Sequence, residues 1–251
     1  MLTTNPFVEL GALLSPLSMQ IYVVFVIIAV AAGTLLDMLH KRSAKFFTMY
    51  LKETKKAATK TLSGKDKASI TAKTIAIDIA TSAEFCNVQR RISHLFMFYG
   101  FITYCTTTIA MVFVYPTPAT PTPIVLPILW NASAFMVLIG GYWFFFFLRV
   151  NVVKDGQPIF RLVRADLFIV TLIASVTFGL IWAFAQSTGG IVATKITLGL
   201  YLFFTTALFG TVAWSKLPHM FYKPVMAFQR RVEESDGSSS LPPPAITNEG
   251  R

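Results

Sequence analysis

Five long runs of apolar residues, each almost free of charge, dominate the pattern of hydrophobic and polar positions. They cover about residues 17–39, 92–115, 128–148, 167–186 and 196–214. As an α-helix, a run of at least about 18 such residues is long enough to cross a hydrocarbon core about 30 Å thick. The pattern therefore predicts an all-α membrane protein built as a bundle of five transmembrane helices.

The composition agrees with this pattern. The chain has 251 residues, of which 54% are hydrophobic and 14% are charged. In a soluble domain about a quarter of the residues are charged, so this composition argues against an ordinary soluble enzyme. The net charge of +10 suits an anionic partner, either a nucleic acid or a lipid surface. The apolar runs favour lipid, and we expect no nucleic-acid binding.

The basic residues indicate how the chain is oriented. The segment 40–91 holds twelve of the 22 Lys and Arg residues, 149–165 holds four and 215–251 holds five. On the other side of the spans only Lys195 is basic. Because Lys and Arg concentrate in cytoplasmic loops, this distribution predicts an outside N-terminus and a cytoplasmic C-terminus.

The same pattern predicts the domain organisation. Residues 1–16 form an outer segment, which contains no Lys or Arg and so lacks the start of a cleavable signal peptide. Residues 17–232 form the membrane domain, with a basic cytoplasmic loop at 40–91. Residues 233–251 are rich in Glu, Ser and Pro, which predicts a disordered tail.

The start of the basic loop, residues 43–56, mixes apolar and basic positions. Two interpretations of this segment remain open. It is either an interfacial helix on anionic lipid or a platform for a soluble partner.

Several function classes lack the residues they need. The middles of the five runs contain no Asp, Glu, Lys, Arg or His, which argues against a pump or an ion-coupled carrier. We find no hydrolytic or phosphate-binding motif, and the chain has no independent catalytic motif. The two cysteines, Cys86 and Cys105, are too few for a four-cysteine zinc or iron–sulfur site.

The three histidines are the candidate ligands. His94 lies at the inner start of the second span and His219 at the inner end of the fifth, so both are predicted at one depth. Two imidazoles on different helices can hold one b-type haem from its two faces. Alternatively, both are interfacial side chains with their polar tips in water. His40, three residues after Asp37, is predicted to be interfacial, or else a ligand or proton carrier near a quinone.

Basic residues flank the two candidate ligands. They are Arg90, Arg91, Lys216 and Lys223. Cations at this depth could pair with the carboxylates of a haem. They are equally the ordinary anchors of a cytoplasmic membrane face.

Two short motifs carry a resemblance to a known family. Residues 215–219 read Ser-Lys-Leu-Pro-His, which is a hydroxyl residue, a basic residue, Leu, one variable position and then His. Pro224 and Val225 follow. This resembles the inner end of the last helix in the nitrate reductase gamma-type cytochrome b family. Residues 90–101 resemble the membrane parts of heterodisulfide reductase and of the quinone-interacting oxidoreductase. Most of all they resemble the membrane anchor of adenylylsulfate reductase. The similarity covers about residues 10–232.

The resemblance implies a function. Such a subunit passes electrons between a cytoplasmic iron–sulfur/flavin oxidoreductase and membrane quinone, through one b-type haem held by His94 and His219. It implies a bacterial or archaeal cytoplasmic membrane and a part in sulfur metabolism. The candidates for the quinone site are Tyr99, Lys216 and Lys223. The alternative is a haem-free anchor and docking scaffold for the same kind of partner.

The chain also departs from that family. Two-haem members carry a second histidine pair deeper in the same helices, where this chain has Tyr104 and Tyr201. A second haem between two histidines is therefore excluded. Helical periodicity places each tyrosine roughly on the face of its histidine, where it could fill the vacated volume. Pro218 is expected to bend or end the fifth helix just before His219.

Overall fold

The structure is a computed structural model, and it describes residues 2–40, 42–83, 85, 87–149, 156–215 and 217–239. Within these ranges the chain is helical and contains no strand. It divides into two compact units. The first comprises Met1–Asp37 with Glu84–Pro218, and the second comprises Met38–Ala83 with His219–Arg251.

The first unit contains the five helices that are long and apolar enough to cross a membrane. The short helix α1 (Pro6–Glu9) precedes α2, and the spans are α2 (Pro16–His40), α5 (Val88–Phe113), α6 (Val125–Trp143), α7 (Leu167–Ser187) and α8 (Ile191–Gly210). A π-helical turn, Phe144–Leu148, extends α6. The five predicted spans are thus confirmed. The fifth begins and ends four to five residues earlier than the sequence predicted, so Lys195 lies in the first turns of α8.

Close backbone approach joins α5 to α6. A Cβ atom added at Gly140 would lie 2.7 Å from the carbonyl oxygen of Ser93, and one at Gly100 would lie 2.9 Å from that of Ser133. The Ser93 hydroxyl donates to the Gly140 carbonyl at 2.8 Å. Small residues that let two backbones touch are the usual means of helix association in lipid, where apolar surface alone gives no preference for protein.

The outer N-terminal segment is part of the packed core. Phe7 of α1 is 5% exposed, and its ring lies 6.1 Å from that of Trp130 and 5.5 Å from that of Trp182. Asn5 caps α1 and also donates to the Tyr115 carbonyl at 3.1 Å. The segment therefore closes one end of the bundle, which its sequence alone did not indicate.

Most of the surface of α2 is exposed, as expected for a helix that faces lipid. It packs on the first unit through Met19 and Val23, which are buried in the core, and through two polar bonds. Gln20 donates to the Val112 carbonyl at 3.1 Å, and the Tyr22 hydroxyl donates to the Leu202 carbonyl at 3.1 Å. Asp37, near its inner end, is buried, whereas His40 at its last position is exposed.

A buried ion pair links the inner ends of α6 and α7. Arg149 donates to Asp166 at 2.8 Å, and both side chains are almost inaccessible to solvent. The guanidinium also bonds the Ile159 carbonyl and lies 4.5 Å above the ring of Phe145. Arg149 is thus a structural anchor, because a charge buried in this way needs its partner to remain there.

The second unit is built from the basic loop and the chain end. Helix α3 (Ser43–Ala57) follows Arg42. This residue has a left-handed conformation, with φ of 52°, which interrupts the helix between α2 and α3. Helix α4 (Gly64–Lys73), with a capping box between Ser63 and Asp66, continues into a π-helical segment, Thr74–Ile79. Helix α9 (His219–Asp236) completes the unit.

Hydrogen bonds join α9 to the segment that the sequence predicted as a basic loop, residues 40–91. Arg231 forms two bonds with Asp78, at 2.5 and 3.0 Å. The Tyr50 hydroxyl donates to Glu233 at 2.6 Å, and the Asp236 carbonyl accepts from the Thr59 amide at 3.0 Å. The prediction that residues 233–251 are disordered is therefore wrong for the first of these residues. Helix α9 continues to Asp236 because these partners, distant in sequence, hold it, and residues 240–251 lie outside the described residues.

We predict that Gly140→Ala destabilises the bundle. The new methyl group meets backbone rather than a movable side chain, so the free energy of unfolding should fall by about 1–3 kcal/mol. Gly199→Ala is the matched control, because a Cβ there meets nothing within 4 Å. Denaturant unfolding in lipid–detergent micelles measures both. Equal stability of the two variants would contradict the close α5–α6 contact.

We predict that Tyr50 contributes to the stability of the second unit in a pH-dependent way. The bond to Glu233, followed by partial burial, raises the pKa of Tyr50 from 10.0 to about 12. Because the neutral phenol donates this bond, its stabilisation is complete below pH 10 and disappears as pH rises through about 12. Absorbance titration of tyrosinate, wild type minus Tyr50→Phe, isolates this residue. Glu233→Gln should return its pKa toward 10, and a wild-type value already near 10 would refute the bond.

Candidate functional site

His94 lies in the second turn of α5, at the end that the charge pattern predicts to be cytoplasmic. The helix begins after Asn87, whose side chain accepts from the Arg90 amide at 3.0 Å. The imidazole is half-buried between two phenyl rings. Phe98 stacks on it with centroids 6.0 Å apart and planes at 12°, and Phe85 lies at 4.9 Å with planes at 38°. The ring faces are thus covered by apolar groups.

One face of α5 carries this site. Arg90 precedes His94 by four residues and Phe98 follows it by four, so the three side chains follow one another along the helix. Phe101, seven residues after His94, continues the same face, and its ring lies 6.2 Å from that of Phe209. Phe209 is the second-last residue of α8. The face that holds His94 therefore packs, at its deeper part, on the inner end of the last span.

His219 is the first residue of α9 and is half-buried. It does not continue the last span. Helix α8 ends at Gly210, a single 3₁₀ turn covers Val212–Trp214, and Ser215 is extended. The prediction that Tyr201 and His219 share a face of one helix is therefore wrong. Pro218 lacks an amide donor and disfavours helix in the residue before it, while the Ser215 hydroxyl accepts from the Leu217 amide at 3.2 Å.

The two candidate ligands belong to different units, His94 to the first and His219 to the second. His94 has an aromatic setting in the first unit, and His219 begins the helix that the second unit holds through Arg231 and Glu233.

The predicted cations occupy different environments. Arg90 and Arg91 are half-buried in the first turn of α5. Lys223 is exposed, four residues after His219 and thus on its side of α9. Lys216 lies outside the described residues. The three described cations each stand within one turn of a candidate histidine.

Tyr99 is a weaker candidate than its sequence position indicated. It is exposed, and its ring meets that of Phe98 edge-on at 5.3 Å. Five residues separate it from His94, which places it about 140° around the helix from the imidazole. A quinone touching Tyr99 would therefore approach α5 from another side than a group bound to His94.

Deeper in the bundle, four aromatic residues fill the interior. Tyr104 and Tyr201 face each other with hydroxyl oxygens 3.5 Å apart. Tyr104 stacks on Trp130 at 5.0 Å, and Tyr201 stacks on Trp182 at 5.6 Å. We call these four residues the aromatic block. A Cβ at Gly179 would lie only 2.7 Å from the Tyr104 hydroxyl, so the block is tightly enclosed.

The aromatic block occupies the positions, Tyr104 and Tyr201, at which the sequence excluded a second pair of histidine ligands. Both tyrosines are under 8% exposed. They pack against aromatic partners and against the backbone of α7, and so fill that volume.

Other candidate metal ligands are sparse. Among the described residues no three His, Cys, Asp or Glu side chains come close enough to hold a metal ion together. Cys105 is an unpaired thiol. Cys86 lies outside the described residues. A pair of histidines is a smaller ligand set, and a haem needs only two axial ligands from the protein.

Sequence reasoning missed both phenyl rings beside His94. Phe98 could have been found, because a residue four positions on shares the helix face. Phe85 could not, because it precedes the helix and its position beside His94 does not follow from helical periodicity. Comparison with known proteins adds nothing here: no family model, no characterised protein and no solved structure matches the chain.

We predict that the aromatic block is a packing element. Tyr104→Ala should lower the free energy of unfolding by about 3–5 kcal/mol, because a large buried ring leaves a cavity. Tyr104→Phe keeps the ring and loses one hydrogen bond, so it should cost only about 1 kcal/mol. Unfolding in micelles distinguishes the two variants. If Ala is tolerated as well as Phe, the ring does not support the core.

Proposed function

We propose that this multi-pass membrane protein is the electron-transfer subunit of an oxidoreductase complex. In this proposal it connects a cytoplasmic iron–sulfur/flavin partner with membrane quinone through one b-type haem near the inner face. The observation that carries it is the setting of His94, an inner-end imidazole between two phenyl rings, one turn from Arg90 on the same helix face.

The residues fit the chemistry of such a group. His94 and His219 would be the axial ligands, since neutral imidazole is the common haem ligand from protein. Arg90, Arg91 and Lys223, with Lys216, would pair with the carboxylates. When bound, the haem supplies one-electron transfer. Phe85 and Phe98 would cover the imidazole and exclude water from that side.

The distribution of charge supports a soluble partner on the cytoplasmic side. Of the 22 basic residues, 21 are predicted on that face, so a partner with an acidic surface would be attracted and oriented. The middles of the spans carry no ionisable relay, so electron transfer at this depth would move little charge across the membrane. Tyr99, Lys216 and Lys223 remain the candidates for the quinone site.

The partner's identity rests on the resemblance of residues 90–101 and 215–225 to sulfur-metabolism subunits. We therefore propose adenylylsulfate reductase as the partner, in a bacterial or archaeal cytoplasmic membrane. The competing proposal is a haem-free anchor for the same partner. In that case Phe85 and Phe98 pack His94 as an ordinary interfacial side chain.

The test is a dithionite-reduced minus oxidised spectrum of the purified chain, with haem extracted and quantified. We expect one b-type haem per chain, lost in both His94→Ala and His219→Ala, because one axial ligand does not hold the group at this site. His40→Ala is the matched control and should keep its haem, since His40 is exposed at the end of α2.

A colourless chain that still co-purifies with a cytoplasmic oxidoreductase would leave the anchor as the correct function. Haem that survives both substitutions would place its ligands elsewhere. Far-UV circular dichroism of the variants separates loss of ligand from loss of fold.

A further inference from the structure

Helix α3 exposes a strip of large apolar side chains. Phe46, Met49 and Tyr50 are 62%, 48% and 41% exposed. Their spacing of three and four residues puts them on one face of the helix. Exposed apolar residues scattered singly are ordinary, but three that adjoin form a continuous surface. We call these three residues the apolar strip.

The second unit fixes which way this strip points. Thr54, on the packed side of α3, is 9% exposed, and its hydroxyl is 3.4 Å from the Gln229 amide nitrogen. Tyr50 reaches Glu233 through its hydroxyl, so only its ring belongs to the strip. Helix α3 therefore turns one side to α9. Met49, about 140° around the helix from Thr54, faces away from that side, and Phe46 is exposed beside Tyr50.

Lysines border the strip. Lys45 precedes Met49 by four residues, Lys52 follows it by three and Lys56 by seven, so all three stand along one edge, and all three are exposed. Glu53 is the one acidic residue of α3. A lysine can lay its methylene stem along apolar surface while its ammonium group reaches an anion. An apolar strip edged with lysine is the pattern of a helix that lies on an anionic membrane surface.

The chain itself keeps α3 close to the membrane. Helix α2 ends at His40 and α3 begins at Ser43. Three residue steps reach at most about 11 Å, so the start of α3 cannot leave the inner end of the first span.

An independent segment of the first unit has the same character. Between α6 and α7, Phe160 and Leu162 are 79% and 55% exposed, and Arg161 and Arg164 lie among them in the sequence. The Phe160 ring lies 6.5 Å from that of Phe146, at the inner end of α6. The charge pattern places this segment on the cytoplasmic side as well. Two separate inner segments thus combine exposed apolar side chains with basic ones.

We propose that α3 is a membrane-surface helix that binds anionic lipid headgroups of the cytoplasmic leaflet. Lys45, Lys52 and Lys56 contact the headgroups, and Phe46 and Met49 enter the boundary of the acyl chains. This function is separate from haem binding and stands whether or not His94 and His219 hold a haem.

The test compares labels on two sides of α3 in the full chain. An environment-sensitive fluorophore is attached to Met49→Cys or to Thr48→Cys, on a background with Cys86→Ser and Cys105→Ala. Thr48 is exposed on another side of the helix and is the matched control. The protein is reconstituted in nanodiscs of phosphatidylcholine, alone or with one-third phosphatidylglycerol, and acrylamide, a neutral aqueous quencher, measures exposure to water.

We expect quenching at position 49 to be several-fold weaker than at position 48 in the anionic nanodiscs, and this protection to diminish in pure phosphatidylcholine. Replacing Lys45, Lys52 and Lys56 together with Gln should remove the effect of phosphatidylglycerol. Replacing the same three with Arg should preserve it, which controls for damage to the fold.

Two results would overturn the proposal. Equal quenching at both positions in both lipids would mean that the strip faces water and is available to a soluble protein. Protection that is independent of phosphatidylglycerol and unchanged by the Gln variant would mean that the strip is covered without recognition of headgroups.

Discussion

Hydrocarbon offers no hydrogen-bond partner to a peptide group, so a chain that crosses it five times must satisfy its backbone inside its own helices. The bonds that join one helix to another are then left to side chains. In this protein some run from a side chain to a carbonyl, as from Ser93 to Gly140, and others join two side chains, as from the Trp130 indole to the Thr108 hydroxyl. Close approach at glycine makes the first of these bonds possible, and so the packing of α5 on α6 depends on residues with almost no side chain.

The middle of the bundle and the end at which α5 begins differ in their side chains. The middle is filled by aromatic rings, whereas the end carries a histidine and arginines. The aromatic block fills the middle of the bundle, and Phe7 seals it from the N-terminal side. His94 lies outside this block, near the helix start, with Arg90 beside it. The tightly filled interior therefore restricts any cofactor bound by His94 to the end of the bundle at which α5 begins, which the charge pattern predicts to be cytoplasmic. A group there could exchange electrons with a soluble partner without crossing the bundle.

The sequence predicted what depends on local pattern and missed what depends on distant contacts. The five spans were found because about 20 consecutive apolar residues are a sufficient signal. The fold of segment 40–91 was not, because α3 and α4 are held by residues such as Glu233 and Arg231, more than 150 positions away. The break before His219 was anticipated at Pro218, yet the helix already ends at Gly210. For the site, the histidine and arginine positions on α5 were accessible from sequence, whereas the ring of Phe85 was not.

A lipid-bound α3 also limits where a soluble partner can dock. Its lysines would be engaged by headgroups, so the partner would have to use other cations of the second unit. Helix α4 supplies them, because Lys65, Lys67 and Lys73 are exposed, while Ile70 makes its buried contact. Helix α4 has no exposed apolar strip of comparable size, so it lacks the apolar surface that would favour binding to a membrane. Under the two proposals, the basic helices of this unit would have different roles, α3 at the leaflet and α4 at an acidic protein surface.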